Sequence, residues 1–236
     1  MSKRLIVAML VAALAAPAVA LALPRNVPQA VSAYLLGPRM LRAEIALKTP
    51  DGTLHDFLLA RGRLIKRYTR GTLLLAERDG TKVSVKTASS SRVILNGKPS
   101  SLRALRVGMQ VVVSHDHDLP ADMVYASSPT RAPKVPRAAL AFLLGPRMFR
   151  AEIALQSAEG TTHDFRLEQG RVRQVTAASL VLREADGTIA TIPVSVSVRV
   201  KVNGQTTSFT QLKRGMVAAT MRDGDAPADQ LWATGK

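Results

Sequence analysis

The sequence predicts an all-β protein: two tandem, small antiparallel β-barrels of the OB or SH3-like kind, each with one short helical turn. Three observations lead there. The chain is internally duplicated, turn dipeptides recur at matching places in the two copies, and apolar and polar side chains alternate between those turns.

The duplication is the strongest of the three. Residues Tyr34 to Leu47 recur as Phe142 to Leu155, and the differences, Tyr34 for Phe142 and Leu41 for Phe149, stay apolar. The match continues through His55-Asp56-Phe57 and His163-Asp164-Phe165, then Gly62-Arg63 and Gly170-Arg171. After a one-residue deletion Asp79-Gly80-Thr81 pairs with Asp186-Gly187-Thr188, Asn96-Gly97 with Asn203-Gly204, and Gly108-Met109 with Gly215-Met216. With about 40 of about 90 aligned positions identical, the copies are whole domains and not short solenoid units. The expected organisation is therefore a leader at 1–22, a flexible segment at 23–33, a barrel at 34–126, a linker at 127–141 and a second barrel at 142–236.

The leader reading rests on Lys3 and Arg4, an apolar run from Leu5 to Ala16, and small-x-small sites at Ala18-Val19-Ala20 or Ala20-Leu21-Ala22. Pro17 and its small neighbours favour cleavage and export. The alternative is an uncleaved anchor, because Leu5 to Leu23 approaches the length that spans a bilayer. The sequence has no Cys, so disulfides, thiolate metal sites and a lipid-modified cysteine are excluded. Losing Lys3 and Arg4 would lower 33 Lys and Arg to about 31 against 17 Asp and Glu, a net charge of about +14. An exported basic chain of this kind meets anionic lipids and envelope or extracellular polymers.

Within each copy, Asp51-Gly52, Asp79-Gly80 and Asn96-Gly97, and Glu159-Gly160, Asp186-Gly187 and Asn203-Gly204, mark hairpin turns. Ala43, Ile45 and Leu47 share one strand face and Arg42, Glu44 and Ala46 the other. Six or more short strands per copy follow. The helical turn falls at Ser101–Gly108 and Ser208–Gly215, where Ser can cap the start, Leu102 and Leu105 (Phe209 and Leu212) point inward, and Gly ends it. Closing the strands into a barrel hides the edges an open sheet would expose. Between the copies, Pro129, Pro133 and Pro136 interleaved with Arg131, Lys134 and Arg137 read as a stiff, extended basic linker.

The run Gly170-Arg171-Val172, Ser179 to Leu182, Asp186-Gly187-Thr188, Arg199-Val200, Asn203-Gly204, Leu212 and Gly215-Met216-Val217 resembles the bacterial exported family known as domain of unknown function 5666. The first copy matches at Gly62, Leu73 to Leu75, Asp79 to Thr81, Asn96-Gly97, Leu105 and Gly108. The resemblance covers about the last two thirds of each copy. It implies an exported small β-barrel and brings no functional residues with it.

Arg61, Arg63, Lys66, Arg67 and Arg70, around Tyr68, form a basic cluster in the first copy, of which the second keeps Arg171 and Arg173. With Arg131, Lys134 and Arg137 of the linker they are the candidate polyanion-binding residues. Nine aromatics (one Trp, three Tyr and five Phe) are too few stacking groups for a single-stranded nucleic acid platform. His55-Asp56 and His163-Asp164 suggest acid and base chemistry, but neighbours in a strand face opposite ways, so a core-edge His and a surface Asp are expected. Asp116, Asp118 and Asp122, with Asp223, Asp225 and Asp229, are weak metal candidates. They lack the fifth-position ligand and sixth-position Gly of calcium loops, and the His115 and His117 beside them are absent from the second copy. Turns in which Asp bonds its own backbone explain them better. The Arg39, Arg42 and Glu44 block, repeated as Arg147, Arg150 and Glu152, is read as the element that starts each barrel. No metal or cofactor is expected. The leading expectation is a non-enzymatic exported module for anionic polymers or lipids; a structural or protein-binding part of the envelope and an unrecognised hydrolase centred on His55 and His163 are the alternatives.

Overall fold

The structure, a computed structural model, describes residues 27–69 and 71–235; the expected leader at 1–22 and Arg70 lie outside the described residues. The chain is mostly β, with a closed five-stranded barrel and further strands outside it. No described helix is long and apolar enough to cross a membrane.

In the first copy a short helix α1 (Gln29–Leu35) precedes β1 (Met40–Lys48), β2 (Leu54–Arg67), β3 (Thr72–Ala76), β4 (Lys82–Leu95), β5 (Lys98–Ser100), a 3-10 turn at Leu102–Ala104, β6 (Gln110–Asp116) and β7 (Ala121–Ser127). The second copy repeats the order: α2 (Arg137–Leu143), β8 (Met148–Gln156), β9 (Thr162–Val175), β10 (Ser179–Glu184), β11 (Ile189–Val202), β12 (Gln205–Thr207), a 3-10 turn at Phe209–Gln211, β13 (Val217–Asp223) and β14 (Ala228–Thr234). The turn dipeptides fall between strands as expected. Asn96 and Gly97 both take positive φ (52° and 84°), as do Asn203 and Gly204 (50° and 83°), the backbone that a two-residue hairpin requires.

The barrel closes through β2–β3, β3–β4, β4–β7, β7–β6 and β6–β2. The β4–β7 pair is parallel, which corrects the expectation of a wholly antiparallel set. The β5 hairpin, the 3-10 turn and β6 intervene, and that length lets the chain cross over and return in the same direction. The corresponding pairings recur among β9, β10, β11, β14 and β13, again with one parallel pair, β11–β14. Leu64, Leu73, Leu75, Val111 and Val113 fill the interior in the first copy, and Leu105 of the 3-10 turn packs among them. Val172, Leu180, Leu182, Leu212 and Ala218 form the corresponding buried cluster in the second copy. Ser101 and Ser208 precede their turns, but neither side chain caps one; the Leu105 and Leu212 amides bond back to Leu102 and Phe209 instead.

β2 and β9 are long strands, each of which passes from one set of partner strands to another at a glycine. A Cβ at Gly62 would lie 2.6 Å from the Ala76 carbonyl oxygen, and one at Gly170 2.5 Å from that of Arg183. Only a bare backbone allows that approach. Gly170→Ala is accordingly expected to cost about 1–3 kcal/mol, the range for overpacking a tight site, read as a lower midpoint in urea unfolding with an unchanged m-value.

The repeated block plays a different part from the one its sequence suggested. β1 is outside the barrel: it pairs with β2 on one side and with β8, its own copy, on the other. The β1–β8 ladder is antiparallel and centred on Glu44 opposite Glu152, so Arg42 faces Ala154 while Ala46 faces Arg150. Beyond its ends the Lys48 amide donates to the Arg147 carbonyl and the Gln156 amide to the Arg39 carbonyl, both at 3.0 Å. Equivalent residues exchange equivalent bonds, the signature of an isologous interface, here made within one chain. A third apolar core lies along this joint, taking Ile45, Leu47, Phe57 and Tyr125 from the first copy and Met148, Ile153, Leu167 and Trp232 from the second. Leu35 of α1 and Leu143 of α2 are buried in it.

These two helices correct the readings of 23–33 as a flexible segment and 127–141 as an extended linker, since α1 begins at Gln29 and α2 at Arg137. Segments of seven residues are too short to show a helical period or to hold themselves in water. The joint core stabilises them. Ser128 to Pro136 carries neither helix nor strand, as the prolines predict.

Candidate functional site

Strand parity sorts the side chains of β2. Ala60 and Leu64 point into the barrel, while Phe57 and Leu59 leave by the opposite face and enter the joint core. Arg61 and Arg63 continue that outer face beyond the point where the core ends. Arg61 is only 7% exposed, yet among the described residues its guanidinium has no hydrogen bond and no ion pair, and its Nε is buried without a partner. Burial, with Arg78 close by, pulls its pKa down to about 10. A buried cation without a counter-charge is a costly arrangement.

Arg61 lines a groove of about 470 Å³ with Arg63, Arg78 and Arg131. The groove joins elements far apart in sequence: β2, the β3–β4 turn, β6 and the segment after β7. The last is held in place by Ser127 Oγ, which donates to the Arg131 carbonyl, and by Gln110 Nε2, which donates to the Pro129 carbonyl at 3.5 Å. Glu77 is the one acidic residue on the lining; its Oε2 accepts from Arg42 Nη1 at 2.6 Å, and its Oε1 is buried without a partner.

The structure thus gathers three of the expected polyanion-binding residues, Arg61, Arg63 and Arg131, and disperses the others. Lys66 sits over the Tyr68 ring, 4.6 Å from its centroid, and Arg67 donates to the Leu102 carbonyl at 2.7 Å, both toward the far end of β2. Lys134 borders a separate small groove beside Asn96 and Tyr125, and Arg137 lies at the start of α2 between the helices. Arg70 lies outside the described residues. Arg78 was missed. It directly precedes the Asp79-Gly80 turn, and its signal is the contrast between copies, because the second has Ala185 there.

The second copy is an internal control for this site. Gln169 stands where the first copy has Arg61, and its Nε2 donates to the Pro146 carbonyl at 3.0 Å and the Met148 carbonyl at 2.7 Å. A neutral amide fits this wall and binds the backbone. The fold does not need an arginine here.

The paired charges elsewhere are structural. Arg42 donates to Glu77 and Arg150 to Glu184, joining the central strands to the β3–β4 and β10–β11 turns; each carboxylate side chain is fully buried and each guanidinium about half exposed. Arg42 therefore pairs across strands, not with Glu44. Burial raises both carboxyl pKa values, and the arginines act against it. His55 and His163 stack on Phe57 and Phe165 with centroids 5.8 Å apart, as parity predicts. Each ring uses Nδ1 to meet an aspartate across the strand pair: Asp116 at 2.8 Å and Asp223 at 2.6 Å. No hydroxyl hydrogen-bonds to either ring among the described residues.

These contacts also revise the reading of the acidic turns. Asp116 and Asp223 bond histidines rather than their own backbone. Asp118 lies beside His117, Asp225 bonds Arg166 and Asp229 bonds Arg199, while Asp122 is half-buried with one oxygen buried and unpartnered and its pKa raised by burial. The described residues contain no cluster of three acidic or histidine groups that could hold a metal ion.

The fold and groove define a mostly β protein with a five-stranded barrel and an arginine-lined cleft on its outer wall. Compared with family profiles, curated proteins and solved structures, the chain matches none of them.

Proposed function

We propose that this is an exported, non-enzymatic module built of two tandem OB or SH3-like barrels, which binds anionic envelope or extracellular polymers through the basic surface of its first copy. The observation that carries this reading is the Arg61 groove: four guanidiniums converge on a cleft in which one of them is buried without a counter-charge. Net charge of +16 supports the same polarity over long range. The leader-like N-terminus and the resemblance to domain of unknown function 5666 support export. An enzyme centred on His55 and His163 draws less support: an aspartate on Nδ1 can orient a general base, but among the described residues no Ser or Thr hydroxyl hydrogen-bonds to either ring.

The test is retention of the chain lacking residues 1–22 on a phosphate-bearing wall polymer and on a neutral polysaccharide. Retention on the first alone, released by raising salt from about 0.05 M to about 0.5 M as exposed charges are screened, is the expected result. Equal retention on both matrices would reject the proposal. A protein-docking role would instead leave polymer retention absent and partner capture indifferent to removal of the Arg61 to Arg70 charges.

A further inference from the structure

We infer that the groove around Arg61 is a dedicated site for one phosphate group, the point at which a phosphate-bearing polymer, or free phosphate, is gripped; this rests on the polyanion reading above and narrows it. At the matching position of the second copy Gln169 donates to two backbone carbonyls and leaves a neutral Oε1 unpartnered, so what Arg61 adds is a buried charge, with a desolvation cost that packing alone does not explain. A retained cost of this kind points to an anion that offsets it.

The shape and charge of the groove then name the anion. Arg63, Arg78 and Arg131 reach the same cleft from three separate segments, and Glu77, the acidic lining residue, already accepts from Arg42. A tetrahedral oxyanion presents its oxygens in more directions than a planar carboxylate and so can take guanidinium forks from several sides at once. At about 470 Å³ the groove admits a head group and not a folded stretch of polymer. The low exposure of Arg61 strengthens its hold by keeping competing water away.

The experiment uses the chain from residue 23, dialysed free of phosphate and titrated calorimetrically at constant ionic strength with inorganic phosphate, with dimethyl phosphate as a diester, and with acetate. Saturation by phosphate at one equivalent, at least tenfold tighter than acetate, is expected. Arg61→Gln, which copies the residue the second barrel already folds with, should weaken phosphate at least tenfold, and Arg78→Gln on the exposed rim several-fold. Arg214→Gln, remote from the groove, should leave it unchanged. Tighter binding of the diester than of inorganic phosphate would identify a polymer link as the natural occupant; the reverse would identify a free or terminal phosphate. Absence of saturable binding, or equal binding by Arg61→Gln, overturns the inference. Retention on anionic polymer without phosphate saturation would remove the groove alone, and phosphate binding without polymer retention would remove the polymer reading alone.

Discussion

In phosphate-free buffer Arg61→Gln is expected to stabilise the chain by about 2 kcal/mol. The guanidinium has a pKa held down to about 10, well below its ordinary value, chiefly by burial and secondarily by Arg78. One pKa unit corresponds to about 1.4 kcal/mol of interaction, so keeping Arg61 charged at neutral pH costs the fold about 3 kcal/mol. Part of that gain is lost because the amide must find the Pro38 and Met40 carbonyls, as Gln169 finds those of Pro146 and Met148. The sign follows from linkage. A base whose folded pKa is depressed weighs against the fold while it is charged, and the penalty lifts only as pH rises through the folded value. At pH 7 the whole penalty is present. Thermal unfolding should show the variant melting about 4–8 °C higher, given roughly 2–4 °C per kcal/mol at this chain length. Phosphate should raise the wild-type midpoint and leave that of the variant unmoved. A variant less stable than wild type would mean that Arg61 has a partner in the unliganded fold.

Arg42→Ala is expected to act in the opposite direction, by about 2–3 kcal/mol. Glu77 is fully buried at its side chain, and Arg42, with 48% of its own side chain exposed, is its ion-pair partner. Removing one member of a buried pair leaves the other charge uncompensated, worth about 3–5 kcal/mol when both are inside; the exposure of Arg42 places this case at or below the lower end. Glu77→Gln in the same background should recover most of the loss, because it removes the orphaned charge. The pH dependence supplies an independent check. Burial holds the Glu77 carboxyl above its ordinary range with Arg42 opposing, and without Arg42 it must rise further. A carboxyl with a raised folded pKa contributes its stability below the unfolded pKa and loses it as pH rises through the folded one. The deficit of Arg42→Ala relative to wild type should therefore be largest near pH 7 and shrink toward pH 4. Urea unfolding at the two pH values measures it, and a deficit independent of pH would remove Glu77 from the explanation. The same reasoning applies to Arg150 and Glu184.

Much of the candidate site was legible as residues and little of it as geometry. The basic cluster at Arg61 to Arg70 and the linker arginines stood out by composition, but composition cannot say which of them meet. Arg61 and Arg67 lie on one strand, but β2 coils past Gly62 and its register slips between Leu64 and Lys66, so Arg61 faces the groove while Arg67 meets the Leu102 carbonyl. Arg78 was overlooked because a lone arginine before a turn carries no pattern; it matters only once the β3–β4 turn is folded back beside β2. The Asp116 and Asp223 partners of the histidines lie about 60 residues away, so the His-Asp doublets drew attention to Asp56 and Asp164 instead.

By itself the sequence determined the repeat, the positions of the turns and the face on which each alternating side chain lies. These are local matters: a hairpin dipeptide needs positive φ whatever surrounds it, and period two assigns faces along any strand. Tertiary structure alone decided that β1 leaves the barrel to pair with its own copy, that one barrel pair runs parallel, and that two short helices form over a shared core. Each of those outcomes depends on which apolar faces meet across the chain, and contact between distant segments leaves no period in the sequence from which it could be read.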